Sequence, residues 1–140
     1  MNAESFIDTN VFVYQLERLD VRKADIADQL IGHGIETQTA CISFQVIQEC
    51  LNTATRKAEV PLTEDEMRKY MMDVLNPLYR VQPDIWLYGK SLEIRSRYGF
   101  SFYDSLIVAA AIKAGCRTLY SEDLQHGQEI SGVVITNPFG

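Results

Sequence analysis

Four carboxylates in this sequence stand beside the segments that read as strands and helices, and their placement limits the chemistry open to the chain. Asp8 follows the short run Ser5 to Ile7 directly, and Asp123, with Glu122 beside it, follows Arg117 to Tyr120. Asp104 precedes the long apolar run Leu106 to Ala114, and Glu49 lies just after the run that ends at Ile42. Each has an ordinary structural explanation when taken alone. Asp is common where a strand passes into a helix, and Ser101-Phe102-Tyr103-Asp104 fits a helix-capping pattern. Glu122 and Asp123 read equally as solvated loop charges. Glu49 sits off the apolar stripe of its helix, beside Gln45, Asn52 and Arg56, which reads as an exposed polar face. Their convergence would be another matter. Two unit charges about 5 Å apart repel by about 3 kcal/mol at an effective dielectric of 20, so three or four together need raised pKa values or a neutralising cation. All-oxygen ligation suits Mg²⁺ or Mn²⁺, which share their shells with water and phosphate oxygens.

Whether these acids meet depends on the elements that carry them. Ser5 to Ile7 reads as a buried strand, with Asn10 as the N-cap of a helix over Val11 to Leu16. Residues 21–31 form an amphipathic helix stopped by Gly32 and Gly34. Thr37 to Ile42 is a second strand, and Ser43 caps a helix over about 44–58 with the stripe Phe44, Ile47, Leu51, Ala54 and Ala58. Pro61 ends that element. Thr63 and Glu66 form a capping box for a helix reaching about Leu75. Tyr79 to Val81 is a short strand, and 84–98 is a helix ended by Gly99. Ser101 opens a helix apolar nearly all round, hence deeply buried, with Gly115 at its C-cap. Arg117 to Tyr120 and Val133 to Ile135 are the last strands. Alternation of strand and helix predicts one α/β domain over 1–140, with helices on both sides of a mostly parallel sheet of about five strands. Function in such folds gathers outside the carboxyl ends of the strands, where Asp8 and Asp123 fall.

Composition narrows the field. Of 140 residues, 46% are hydrophobic and 23% charged, an ordinary globular balance. The net charge of −6 excludes gripping nucleic acid by overall positive charge. No run is long enough to span a bilayer, and the first residues lack the pattern of a signal peptide, so the expected location is the cytoplasm. Cys41, Cys50 and Cys116 have apolar neighbours and form no C-x-x-C pair, so buried reduced thiols are expected. His33 and His126 have no partners at zinc-ligand spacing.

The motifs resemble a known family. Phe6-Ile7-Asp8-Thr9-Asn10-Val11, Gln45-Val46-Ile47-Gln48-Glu49, Phe102-Tyr103-Asp104 with its Ala-rich helix, and Leu119-Tyr120-Ser121-Glu122-Asp123 are similar, in order and spacing, to the four acidic motifs of PIN-domain ribonucleases. The compact form most resembles VapC-type toxins of toxin–antitoxin pairs. The resemblance implies a three-layer α/β/α fold and hydrolysis of RNA phosphodiesters at one or two Mg²⁺ or Mn²⁺ ions. It implies Asp8, Asp104 and Asp123 as metal-facing acids, with Glu49 completing the site directly or through water. Asn10 and Ser121 would orient the acids by hydrogen bonding. Motif position favours Asp123 over Glu122 as the fourth acid. The family also implies a homodimer and a small antitoxin partner.

Residues 84–117 carry a local excess of positive charge, which makes Arg95, Arg97, Tyr98 and Tyr103 candidates for RNA contact; ordinary solvated cations and core aromatics explain them equally well. Ile85, Trp86, Leu87 and Tyr88 suit either an interface or the core. Among other readings, a haloacid-dehalogenase-type phosphatase wants Asp where Asn10 stands, and a response-regulator receiver wants paired acids near its start. No helix-turn-helix is visible. A non-catalytic binding module of the same fold is the alternative from another class.

Overall fold

The computed structural model describes residues 3–56 and 62–140. Their elements run β1 (Ser5–Ile7), α1 (Thr9–Glu17), α2 (Val21–Thr37), β2 (Ala40–Ser43), α3 (Phe44–Arg56) and α4 (Glu64–Tyr70). A π-helical turn (Met71–Leu75) leads into α5 (Asn76–Leu78), then β3 (Tyr79–Val81), α6 (Ile85–Tyr98), α7 (Phe102–Lys113), β4 (Thr118–Tyr120), β5 (Glu129–Ile130) and β6 (Val133–Thr136). The strands form one sheet in the order β3-β2-β1-β4-β6-β5. Every pairing is parallel except β5 with β6 at the edge.

The inner strands are buried because helices cover them. Phe6, Ile7, Cys41, Ile42 and Leu119 have no exposed surface. Helix α7 runs beneath this sheet with Ser105 to Ala111 all buried, as its unbroken apolar sequence requires. It packs along α6, while α1 packs against both α2 and α3. The three cysteines are free and buried, with Cys41 Sγ and Cys116 Sγ 3.6 Å apart. Among the described residues no helix is long and apolar enough to cross a membrane.

Several boundaries differ from expectation. Asp8, not Asn10, caps α1: it leaves β1 in an extended conformation, and its side chain accepts from Thr9 N. Helix α2 passes through Gly32 and Gly34 and ends only at Gln38, which takes the left-handed conformation itself. Thr37 therefore belongs to the helix, its Oγ1 donating to His33 O (2.7 Å), and β2 begins later. Gly34 is needed for close approach, because a Cβ there would lie 2.5 Å from Ala40 Cβ. Ser43 does not cap α3; its Oγ is buried without a hydrogen bond. The buried residues of α3 are Gln45, Val46, Cys50 and Ala54; Ala54 of the expected stripe is buried as anticipated, whereas Phe44, Ile47 and Leu51 are half-buried. Ala58 and Pro61 lie outside the described residues. The capping box at Thr63 and Glu66 forms on both sides. The sixth strand, β5, joins β6 through Ser131 (φ 50°) and Gly132 (φ 86°), the two positive dihedrals a tight hairpin requires.

Candidate active site

Strand order locates the crevice. From β1 the chain builds outward through β2 and β3, then returns to lay β4 on the other side of β1. The carboxyl ends of β1 and β4 therefore flank the point where the winding reverses, where an open α/β sheet leaves room for a ligand. Asp8 stands at the end of β1 and Ser121-Glu122-Asp123 at the end of β4. The two ends are tied together, since Asp8 N donates to Tyr120 O (2.9 Å).

Asp8 is buried, with both carboxylate oxygens engaged. Oδ1 accepts from Thr9 N (2.7 Å) and Oδ2 from the buried Ser121 Oγ (2.7 Å). Burial pushes its pKa up to about 7, more than the Ser121 and Thr9 bonds pull it down, and the Glu49 and Asp123 carboxylates push the same way. Among the described residues no Lys or Arg side chain pairs with it.

The other acids reach the same cleft from different elements. Glu49, on the second turn of α3, accepts from Thr9 Oγ1 (2.6 Å), so the residue after Asp8 fixes the acid opposite it. Asp123 accepts from Asn10 Nδ2 (3.1 Å), and Asn10 Oδ1 receives Glu122 N (3.4 Å). Asp104 lies in the first turn of α7, its backbone capped by Ser101 Oγ (3.1 Å). Glu122 is differently placed. Lys23 Nζ (2.5 Å) and Tyr14 OH (2.5 Å) both donate to it. Burial draws its pKa upward, but those two bonds outweigh it and hold the group below the usual carboxylate value.

The cleft has a volume of about 530 Å³. Its lining includes Asp8, Glu49, Asp104, Glu122 and Asp123, together with Glu17, and among the described residues no Lys, Arg, His or Cys. All four acids singled out in the sequence thus face one cavity, with Asn10 beside them and Ser121 bonded behind. Arg95 and Arg97 do not reach it; they are exposed on the last turn of α6. Among the described residues no three His, Cys, Asp or Glu side chains already stand close enough to hold a metal ion. The donor chemistry nevertheless fits a hard divalent cation that keeps part of its water shell: every donor is oxygen, and one buried carboxylate has no counter-charge.

Sequence reading missed Thr9, Tyr14, Lys23 and Gln45. Thr9 stands between Asp8 and Asn10, both already marked, and Tyr14 lies one turn of α1 beyond Asn10. Gln45 carried a signal, since it lies four residues before Glu49 and so on the same helical face. That face is not solvated at Gln45, which is only 3% exposed.

The PIN domain family model matches residues 5–128. A search of curated proteins gives no match. Solved structures share the fold. A toxin–antitoxin complex from Klebsiella pneumoniae superposes with TM-score 0.66 at 18% identity, covering 96% of this chain and 97% of that one. The gonococcal FitAcB structure (Neisseria gonorrhoeae) gives TM-score 0.64 at 18% identity, with 96% and 98% covered. Mycobacterium tuberculosis VapC20, a Sarcin-Ricin loop cleaving toxin, gives 0.62 at 19%, with 85% and 89% covered. With the family model spanning all four acidic motifs and the sheet order placing them at one crevice, the chain belongs to the PIN domain family.

Proposed function

We propose that this protein is a divalent-metal-dependent endoribonuclease, the toxin of a toxin–antitoxin pair. The observation that carries the reading is the cleft at the β1/β4 switch point, lined by acids from four separate parts of the chain and, among the described residues, by no cationic side chain. Asp8, Glu49, Asp104 and Asp123 are the residues that would hold Mg²⁺ or Mn²⁺. When bound, such an ion offsets phosphodiester charge and makes water a better nucleophile at neutral pH. The chain's own part is positioning. Ser121 and Thr9 N set the Asp8 carboxylate, Thr9 Oγ1 sets Glu49, and Asn10 sets Asp123. Among the described residues the lining offers no His or Cys as covalent nucleophile, in keeping with water as the attacking group of this reading.

We assign RNA contact to Arg95 and Arg97, the exposed cations of the last turn of α6. The partners we propose are an antitoxin, in keeping with the complexes that share the fold, and a second copy of the chain. Ile85, Trp86 and Leu92 on α6 are exposed and available for an interface, whereas Leu87 belongs to the core. Light scattering reads the dimer directly, and a monomer across micromolar concentrations would remove it.

The test is incubation of purified protein with structured RNA in Mn²⁺ or Mg²⁺, beside EDTA and Asp104→Asn controls. Cleavage abolished in both controls is expected. Cleavage surviving both refutes the acid-cluster mechanism. RNA binding with no cleavage in any metal favours the non-catalytic module.

A further inference from the structure

Gln45 is a buried polar side chain of the cleft whose hydrogen bonding is incomplete. It is 3% exposed, lines the cavity with the acids, and its Nε2 donates to Tyr103 O (3.1 Å). That bond fixes the amide's orientation, because a backbone carbonyl only accepts and must face the NH₂ end. Oε1 is left buried with no partner. A buried acceptor in this state costs about 1–3 kcal/mol unless something donates to it.

The neighbourhood narrows what that something is. Gln45 and Glu49 are four residues apart on α3 and so share a face. Its amide is fastened to the carbonyl immediately before Asp104. It therefore stands between the acid of α3 and the acid of α7. Ionised carboxylates are acceptors like itself, so in that state the acids sharing its cavity supply no donor. A cation does, either by direct ligation or through the hydrogens of a water it carries. We propose that Gln45 is the neutral oxygen donor of the cation site, its Oε1 facing the ion or its water between Glu49 and Asp104. A neutral fifth oxygen adds a ligand without adding repulsion to an already crowded set of charges. This inference rests on the metal-centre reading given above.

The test is Mn²⁺ binding to the RNA-free full chain, by titration calorimetry, for wild type, Gln45→Met, Gln45→Glu and Asp104→Asn, with thermal melts in EDTA as the folding control. Gln45→Met removes the acceptor at similar volume and is expected to weaken Mn²⁺ by about tenfold, the size of loss typical for groups that support a metal. Gln45→Glu keeps an oxygen at the site but forfeits the bond to Tyr103 O, and is expected to bind Mn²⁺ at least as tightly as wild type. A purely structural anchor predicts the reverse order, because Gln45→Glu would then be the more damaging change. That order, or an unchanged affinity in Gln45→Met, overturns the proposal. Loss of affinity in Asp104→Asn with none in Gln45→Met discards Gln45 alone. A wild-type chain that binds no Mn²⁺ discards the metal centre and Gln45 with it. Should Gln45→Met not fold, Gln45→Glu decides: affinity at or above wild type supports the assignment, and affinity below it overturns it.

Discussion

Replacing Asp8 by Asn should stabilise the metal-free protein while abolishing cleavage. The unfolded chain titrates this carboxyl near 3.8, whereas burial in the fold moves it to about 7. Below pH 3.8 the proton is present in both states and Asp8 has no effect on stability. Between 3.8 and about 7 only the folded state keeps it, so stability is lost as pH rises through that interval. Just over three pH intervals at about 1.4 kcal/mol each amount to about 4 kcal/mol at pH 8, an upper figure for one carboxylate. Asn avoids this cost and keeps the geometry. Its Oδ1 still accepts from Thr9 N, its Nδ2 faces Ser121 Oγ, whose hydroxyl turns to accept, and Asn is as good an N-cap as Asp. Urea unfolding in EDTA should therefore show Asp8→Asn more stable by about 2–4 kcal/mol at pH 8, with the gain shrinking towards pH 4.5. Mn²⁺ at a hundredfold excess over its Kd should return about 2.7 kcal/mol to the wild type and little to the variant. A gain that is flat with pH, or an Asn variant less stable at pH 8, would refute the reading of Asp8 as a buried, uncompensated charge.

Gly34→Ala should destabilise by about 1–3 kcal/mol in thermal unfolding, since its Cβ meets Ala40 Cβ at 2.5 Å, whereas Gly32→Ala, with nothing within 4 Å, should stabilise the same helix by up to about 1 kcal/mol. Equal effects at the two positions would contradict the close approach of α2 to β2. Glu122→Gln should retain RNA cleavage and lower the melting temperature at neutral pH, because Glu122 is held by Lys23 and Tyr14, while Asp123→Asn should lose cleavage and keep its stability. Glu122 is held below its ordinary value, so its contribution is present at neutral pH and lost as pH falls through that depressed range; the melting-temperature deficit of Glu122→Gln should vanish there. Arg95→Gln with Arg97→Gln should weaken RNA binding and flatten its dependence on salt, and an unchanged slope removes both from the interface.

Much of the fold was legible because local signals and burial agreed. Helix α7 is apolar on every side and ended up buried on every side; Asp84 and Gly99 bound α6 as cap and stop. The failures share one cause, which is that distant contacts decide local form. Gly34 reads as a helix stop until Ala40 is brought against it, and only then is it a packing residue. β5 has two residues and exists because β6 is there to pair with it. On α3 the spacing of Phe44, Ile47, Leu51 and Ala54 predicted one inward face, yet contact with α1 and the sheet turned Val46 and Cys50 inward beside Ala54. This rotation set Gln45 and Glu49 towards the cleft.

The acids show the same limit at finer scale. Glu122 and Asp123 are adjacent, alike in charge, and indistinguishable by composition. What separates them lies more than a hundred positions away in sequence, or nearly so. Lys23, itself lying over the rings of Tyr14 and Phe139, reaches Glu122 and makes it a latch between the end of β4 and the first two helices. Asp123 receives the neutral amide of Asn10 and lines the cleft. A carboxylate satisfied by a cation is a poor host for another one, and a carboxylate held by an amide is oriented without being neutralised. The motif position that favours Asp123 and the partner chemistry that occupies Glu122 are independent of each other. Their agreement is the physical ground on which we propose Asp123, not Glu122, for the metal-facing role.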